Sequence, residues 1–452
     1  MRFLRPRHTL DQLPALAIRP ESVTTLHSAA DYKAEMLHRI RSAKNRIYLC
    51  CLYLQHDEAG AEILAALHEA KLARPQLDVV VLVDWHRAQR GLIGEKKTPG
   101  QLSGNAAWYQ QQAALHHSGV AIYGVPVQTR ELFGVLHLKG YVFDDLVFYS
   151  GASLNNVYLH QFAKYRHDRY LLIENRALAD SMTDFMREHL LASSAVHRLD
   201  QPELPATRHI RGEIRAFRAR LKKAHYAFSA TQEKTTGTLN VTPLVGVGKN
   251  NPLNRVICQL IAHAKHRIVI CTPYFNFPLA ITREINRALK RGVQVDIVVG
   301  DKVANDFYIP PEQGFKAIGA LPYLYEMNLR RFLKSHQKAI RQQQLQVHLW
   351  KDEDNTYHLK GMWIDDEYAL MTGNNLNPRA FRLDLENALL MHDPEHLLLA
   401  QRTDELNSIM RHTRALQAYT DLDQLQDYPA EVRKLLGRLS TVRLDRLAYR
   451  VL

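Results

Sequence analysis

The chain has 452 residues, room for two or three domains each with its own core. Its 46% hydrophobic and 23% charged residues are those of a globular protein and exclude general disorder. A formal net charge of +13 points to a polyanionic partner: nucleic acid, an anionic membrane surface or a phosphorylated substrate.

The N-terminal "MRFLRPRHTL" is basic but leads into no apolar run of signal-peptide type. The longest hydrophobic run, "IYLCCLYL" from Ile47, has eight residues, against the ~20 that span a bilayer. The sequence therefore reads as neither secreted nor integral to a membrane. Cys50, Cys51, Cys258 and Cys271 have no C-x-x-C spacing and lie in apolar stretches, where a buried free thiol in a reducing cytoplasm is expected.

After that first strand comes a helical stretch, "AEILAALHEAKLA", then a second apolar strand, "LDVVVLVDWHRAQRG" from Leu77. Asp84, Trp85, His86, Arg87 and Arg90 follow its carboxyl end, where open α/β sheets place ligands. Next is "HLKGYVFDD", from His137 to Asp145. Alternate side chains of a strand share a face, so His137 and Lys139 point the same way. The paired aspartates suit a turn into "LVFYSGASLNN", which makes Asp144 structural and sets Ser153 and Asn155 close by. Asp168 comes next, in "RHDRYLLIE".

The boundary falls at the proline-rich "HRLDQPELPATR" from His197. A basic helix follows, with Ile210, Ile214, Phe217 and Leu221 at helical spacing and seven basic residues from Arg208 to Lys223. "TTGTLNVTPLVGVGKNNPLN" then reads as loop or short strands. Beyond it the order repeats at an offset of 221 residues: "AKNRIYLCCLY" at 43 and "AKHRIVICTPY" at 264, "HLKGYVFDD" at 137 and "HLKGMWIDD" at 358. His358, Lys360 and Asp365 thus duplicate His137, Lys139 and Asp144. Asn375 and Asn377 parallel Ser153 and Asn155, Glu386 parallels Asp168, and Tyr274, Phe275 and Asn276 follow the first strand of this half. The pattern predicts two duplicated α/β/α sandwiches with mixed sheets packed about a pseudo-two-fold axis: residues 1–200 and 251–428, joined by a basic linker helix and loop at 201–250. Residues 429–452 form a C-terminal amphipathic segment of net charge +4, its stripe running Val432, Leu435, Leu436, Leu439, Val442, Leu447 and Val451. The stripe suits either a membrane surface or docking on the domain.

A duplicated H-x-K has a chemical logic. Two imidazoles supply a nucleophile and a general acid near neutral pH, and two ammonium groups offset charge building on a phosphate. A carboxylate such as Asp168 or Glu386 can orient a histidine through its other ring nitrogen. No cofactor and no metal is needed, and no His/Cys/Asp/Glu set has metal-ligand spacing.

H-x-K-x-x-x-x-D, doubled with its downstream Asn and Glu/Asp, is the signature of the phospholipase D superfamily, which the chain resembles. The segments "VLVDWHRAQRG", "SGASLNNVYLHQ", "GDKVANDFYIPP", "GALPYLYEMNLRRF" and "LWKDEDNTYHLKGMW" resemble the type I, peripheral CDP-diacylglycerol–serine O-phosphatidyltransferases of bacteria, over nearly the whole chain. That resemblance implies transfer of a phosphatidyl group from CDP-diacylglycerol to L-serine through a phosphohistidine, with His137 as nucleophile and His358 as acid and base. It implies a peripheral site on the inner face of the cell membrane, an anionic phospholipid surface as partner and no specific nucleic acid. Another lipid enzyme of the superfamily (a cardiolipin synthase or a phospholipase) is the alternative, and a nuclease the more distant one. Aspartate at 168, where the family has glutamate, departs from its pattern.

Overall fold

The computed structural model describes residues 10–90, 104–230 and 236–441. It contains two large mixed sheets built on one plan. In the first, spatial order runs His197–Arg198, Ala121–Val125, Asp78–Asp84, Arg46–Cys50, Tyr141–Phe143, Leu146–Ser150, Tyr170–Glu174, Val23–Leu26. In the second it runs Thr413–Leu416, Leu345–Trp350, Gln294–Gly300, Arg267–Thr272, Gly361–Ile364, Tyr368–Thr372, Leu385–His392, Leu239–Val247, with Leu16–Ile18 added at the edge. Position for position the two orders are the same, so the repeat seen in the sequence is a repeat of topology.

Local chemistry explains each unit. The parallel pair Arg46–Cys50 and Asp78–Asp84 needs a crossover, supplied by the helix Glu58–Ala73. Asp57 caps that helix by accepting the Gly60 amide at 2.9 Å, and Ile63, Leu64 and Leu67 face the sheet. In the second half Leu279–Lys290 does the same work between Arg267–Thr272 and Gln294–Gly300, burying Ile281, Ile285 and Ala288. The hairpins that follow each H-x-K turn at Asp144 and Asp365, both left-handed at φ 51° and 53°. The Asp144 carboxylate accepts the amides of Lys44, Asn45 and Arg46 at 2.7–3.1 Å. Asp365 accepts those of Lys265, His266 and Arg267 at 2.6–2.8 Å. Each motif aspartate pins its hairpin to the start of the neighbouring strand and is turned away from the histidines.

The expected boundaries differ from the observed ones. Leu239–Val247, read from the sequence as loop or short strands within the linker, is a nine-residue strand paired along its length with Leu385–His392. It is the counterpart of Val23–Leu26, the first strand of the other half. A proline and three glycines in "TGTLNVTPLVGVG" obscured its length, since those residues normally punctuate strands. Leu16–Ile18 leaves the first half altogether and pairs with Leu239–Val241. The basic helix Arg211–Leu221 buries Ile214, Phe217 and Leu221 in the main core, and Arg218 donates to the carbonyl of Leu383 at 3.0 Å. The C-terminal helix Ala430–Thr441 docks Val432 and Leu436 against Tyr323, Leu324 and Tyr428. The stripe's continuation through Val442, Leu447 and Val451 lies outside the described residues.

Candidate active site

The two H-x-K segments cross from one half to the other. His137 donates its amide to the carbonyl of Leu385 at 3.0 Å, and His358 donates its amide to that of His167 at 2.8 Å. Each motif strand therefore lies beside the residue that precedes the other half's acid. The result is a reciprocal exchange: His137 Nδ1 is 2.9 Å from Glu386 Oε2, and His358 Nδ1 is 2.8 Å from Asp168 Oδ2. Each half orients the other's imidazole through Nδ1.

The lysines cross in the same way. Lys360 Nζ is 3.3 Å from Asp168 Oδ2 and 3.1 Å from His358 Nε2. Its ammonium passes over Gly151, where a Cβ would lie 2.8 Å from Nζ and 2.7 Å from the Asp168 carboxylate. Lys139 passes over Gly373, where a Cβ would lie 2.5 Å from Cγ. The two small residues of "SGAS" and "TGNN" are therefore clearance for two buried lysines. Asn387 clamps the first motif, accepting the Lys139 amide at 2.8 Å and donating to its carbonyl at 2.7 Å.

Both histidines, both lysines and both acids are buried, so each ionised group must be countered nearby. The two sides solve this differently. Burial pushes Lys360 down to about 8, but Asp168 supports its charge. Burial would raise Asp168, yet the Lys360 ammonium and the His358 hydrogen bond hold it well below the usual carboxylate range. On the other side burial pushes Glu386 up to about 8 and drives the His137 imidazole well below its ordinary value, with Lys139 adding to the effect. Burial thus favours the uncharged forms of His137 and Glu386, while Asp168 and Lys360 form an ion pair around His358. Burial, with Lys360 beside it, takes His358 down to about 3. Glu386 Oε1 and Asn374 Nδ2 are among the side-chain atoms of this region that are buried without a partner among the described residues.

Other residues singled out by the sequence divide. Ser153 is buried in the Gly151 loop. Asn155 accepts the Tyr158 amide at 3.0 Å and lies 3.5 Å from the Tyr53 hydroxyl, beside which Arg87 stacks at 5.1 Å. Asn375 keeps a buried, unpartnered Oδ1 in the Gly373 loop, whereas Asn377 caps the helix Pro378–Arg382 through the Ala380 amide. Tyr274 packs 6.4 Å from the His358 ring and donates to Asp306 at 2.5 Å. Asn276 is buried and meets Asn328 at 3.4 Å. Three residues expected to bind substrate make framework contacts. Trp85 is fully buried and donates to Thr207, the His86 ring meets the carbonyl of Gln128, and Arg90 pairs with Glu131. The strand end matters through Asp84, whose buried carboxylate accepts the amides of Leu136, His86 and Arg87 and so fixes the approach to His137.

Sequence reasoning missed Tyr158, whose hydroxyl is 3.0 Å from His358 Nε2, and Arg166, stacked 4.6 Å over the Tyr158 ring. Neither has a counterpart in the repeat, which was the signal being followed. Among the described residues no group of three His, Cys, Asp or Glu side chains converges as a metal site.

A duplicated mixed sheet with two crossed H-x-K/acid pairs is the fold and site of a phospholipase D-like protein. In keeping with this, residues 257–410 match the family model described as cardiolipin synthase, PLD-like domain. The chain is 51% identical to the CDP-diacylglycerol–serine O-phosphatidyltransferase of Haemophilus influenzae, covering 99% of this chain and 98% of that one. It is likewise 51% identical to the enzyme of that name from Escherichia coli, covering 100% and 99%. The crystal structure of phosphatidylserine synthase from Haemophilus influenzae superposes with a TM-score of 0.94 at 51% identity, covering 98% of each chain. The chain belongs to the CDP-diacylglycerol–serine O-phosphatidyltransferase family.

Proposed function

We propose that this enzyme transfers the phosphatidyl group of CDP-diacylglycerol to L-serine and releases CMP, with His137 as nucleophile and His358 as acid and base. The observation that carries the reading is the unequal pairing of two otherwise symmetric histidines. With Nδ1–H donating to Glu386 Oε2 and burial favouring its uncharged form, His137 is an imidazole whose Nε2 lone pair can attack phosphorus, breaking the bond to the CMP oxygen. His358 sits against ionised Asp168, which stabilises an imidazolium. A substrate pyrophosphate brings negative charge into the cleft and favours that protonated form, which hands its proton to departing CMP. Neutral His358 then takes the serine hydroxyl proton as the serine oxygen attacks phosphorus and the P–N bond breaks. Lys139 and Lys360 offset charge on the phosphate in both steps. Labelled CMP should exchange into CDP-diacylglycerol without serine, and His137→Ala or His358→Ala should lower exchange and overall turnover by orders of magnitude. Exchange that strictly requires serine would count against the covalent intermediate.

We also infer that the enzyme works on an anionic membrane surface, at the inner face of the cell membrane. Its lipid substrate lies in a bilayer, and among the described residues no helix is long and apolar enough to cross one. A cavity of about 1070 Å³ lies beside the helix Pro378–Arg382. Lys249, Arg255, Arg283, Arg287, Arg331 and Arg382 line it against one carboxylate, Glu284, and Leu279 stands 64% exposed at its rim. Cations around apolar surface suit anionic lipid.

A further inference from the structure

Over His358 lies a pair of opposite charges that the transfer chemistry above does not use. Arg166 belongs to the two-residue strand Arg166–His167, parallel to Thr356–Tyr357, so both strands run into the reacting pair, Asp168 and His358. Its Nε donates to Thr356 Oγ1 at 3.0 Å, and its guanidinium covers the Tyr158 ring. With the Tyr158 hydroxyl 3.0 Å from His358 Nε2, one aromatic ring separates the guanidinium from the base. Asp306 comes from the other half, faces Arg166 at 3.5 Å and accepts the Tyr274 hydroxyl at 2.5 Å.

This is not the geometry of a framework ion pair. Three residues on, Arg169 grips Glu405 through two bonds of 2.6 and 2.8 Å, with side chains 5% and 10% exposed. Arg166 and Asp306 meet at one longer contact, and their side chains are 13% and 17% exposed. A guanidinium recognises a carboxylate and a carboxylate recognises an ammonium, each by charge-assisted hydrogen bonds. An α-amino acid carries both groups on one carbon, so it can slip between such a pair and leave no charge unmatched.

We propose that Arg166 binds the α-carboxylate and Asp306 the α-ammonium of the acceptor, which sets its hydroxymethyl group at His358 Nε2 against the rings of Tyr158 and Tyr274. The proposal rests on the reading of the protein as a transferase to serine and names the residues that choose this acceptor.

The test uses the full-length protein and three acceptors: serine, ethanolamine (no carboxylate) and 3-hydroxypropanoate (no ammonium), followed as lipid product or, where transfer is slow, as competitive inhibition against serine. Arg166→Gln should lower kcat/KM for serine about 10- to 100-fold, chiefly through KM, and change ethanolamine less than about 3-fold. Asp306→Asn should do the same with 3-hydroxypropanoate as the insensitive acceptor. Equal losses with all three acceptors overturn the clamp and make the pair structural. Labelled CMP exchange, which needs no acceptor, is followed in parallel. If Arg166→Lys and Asp306→Glu also lose exchange, the residues belong to the framework and the clamp falls. A parent protein that forms no phosphatidyl product with serine overturns the transferase reading instead.

Discussion

Asp168 and Glu386 occupy equivalent positions and each holds one imidazole, yet only Asp168 has an ammonium within 3.3 Å. Asparagine at 168 removes the charge that stabilises an imidazolium and lets the ring choose the wrong tautomer, a change worth up to about 10⁴ in rate in comparable triads. Glutamine at 386 replaces a carboxyl that burial already pushes toward its neutral form. Asp168→Asn should therefore cost at least about tenfold more in turnover than Glu386→Gln, measured at pH 7 with saturating substrate. The same difference appears in stability. With Glu386 raised to about 8 in the fold, its contribution is fully present below the unfolded value near 4 and is lost as pH rises through about 8. Urea midpoints taken between pH 5 and 9 should fall for the parent relative to Glu386→Gln. Parallel pH profiles would show that Glu386 is ionised in the folded protein.

At the scale of elements, amphipathic spacing alone does not say what covers an apolar face. The helix at 211–221 and the described part of the C-terminal helix look equally suited to lipid, but both turn their apolar residues inward. Leu436→Ala should accordingly lower stability by about 2–4 kcal/mol, read as a fall in Tm, because it opens a cavity beside Tyr323 and Leu324. Binding to anionic vesicles should survive that change. Arg283→Glu with Arg287→Glu, in the cationic groove, should instead weaken flotation with anionic vesicles severalfold and reduce its salt dependence. Unaltered flotation would move the membrane surface elsewhere.

For the molecule as a whole, the two halves are not independent units. Leu16–Ile18 extends the sheet of the second half, Leu239–Val247 opens that half inside the expected linker, and each histidine is oriented by the other half's acid. One chain therefore assembles one complete site. Mixing full-length His137→Ala and His358→Ala proteins should restore no turnover. Recovery toward a quarter of parental activity would reveal halves exchanged between two chains.

The repeat made the chemistry legible, because a histidine and a lysine two positions apart must share a strand face and a duplicated copy puts a second set within reach. The same local logic identified the motif aspartates as turn residues. What the sequence could not contain was the exchange: that Glu386 serves His137 and Asp168 serves His358 follows from strand pairing between segments 249 and 190 positions apart. Residues without a counterpart, Tyr158, Arg166 and Asp306, also stayed hidden, since a search guided by symmetry finds only what is repeated. The framework contacts of Trp85, His86 and Arg90 stayed hidden for the complementary reason. The carboxyl end of a strand is a place where ligands bind, but which of its side chains face the cleft is decided by packing on Gly124, Thr207 and Glu131, from other parts of the fold. Periodicity and spacing are local properties and determined the elements and the reactive groups. Charge state and partnership depend on burial, and burial exists only once the two halves have closed on each other.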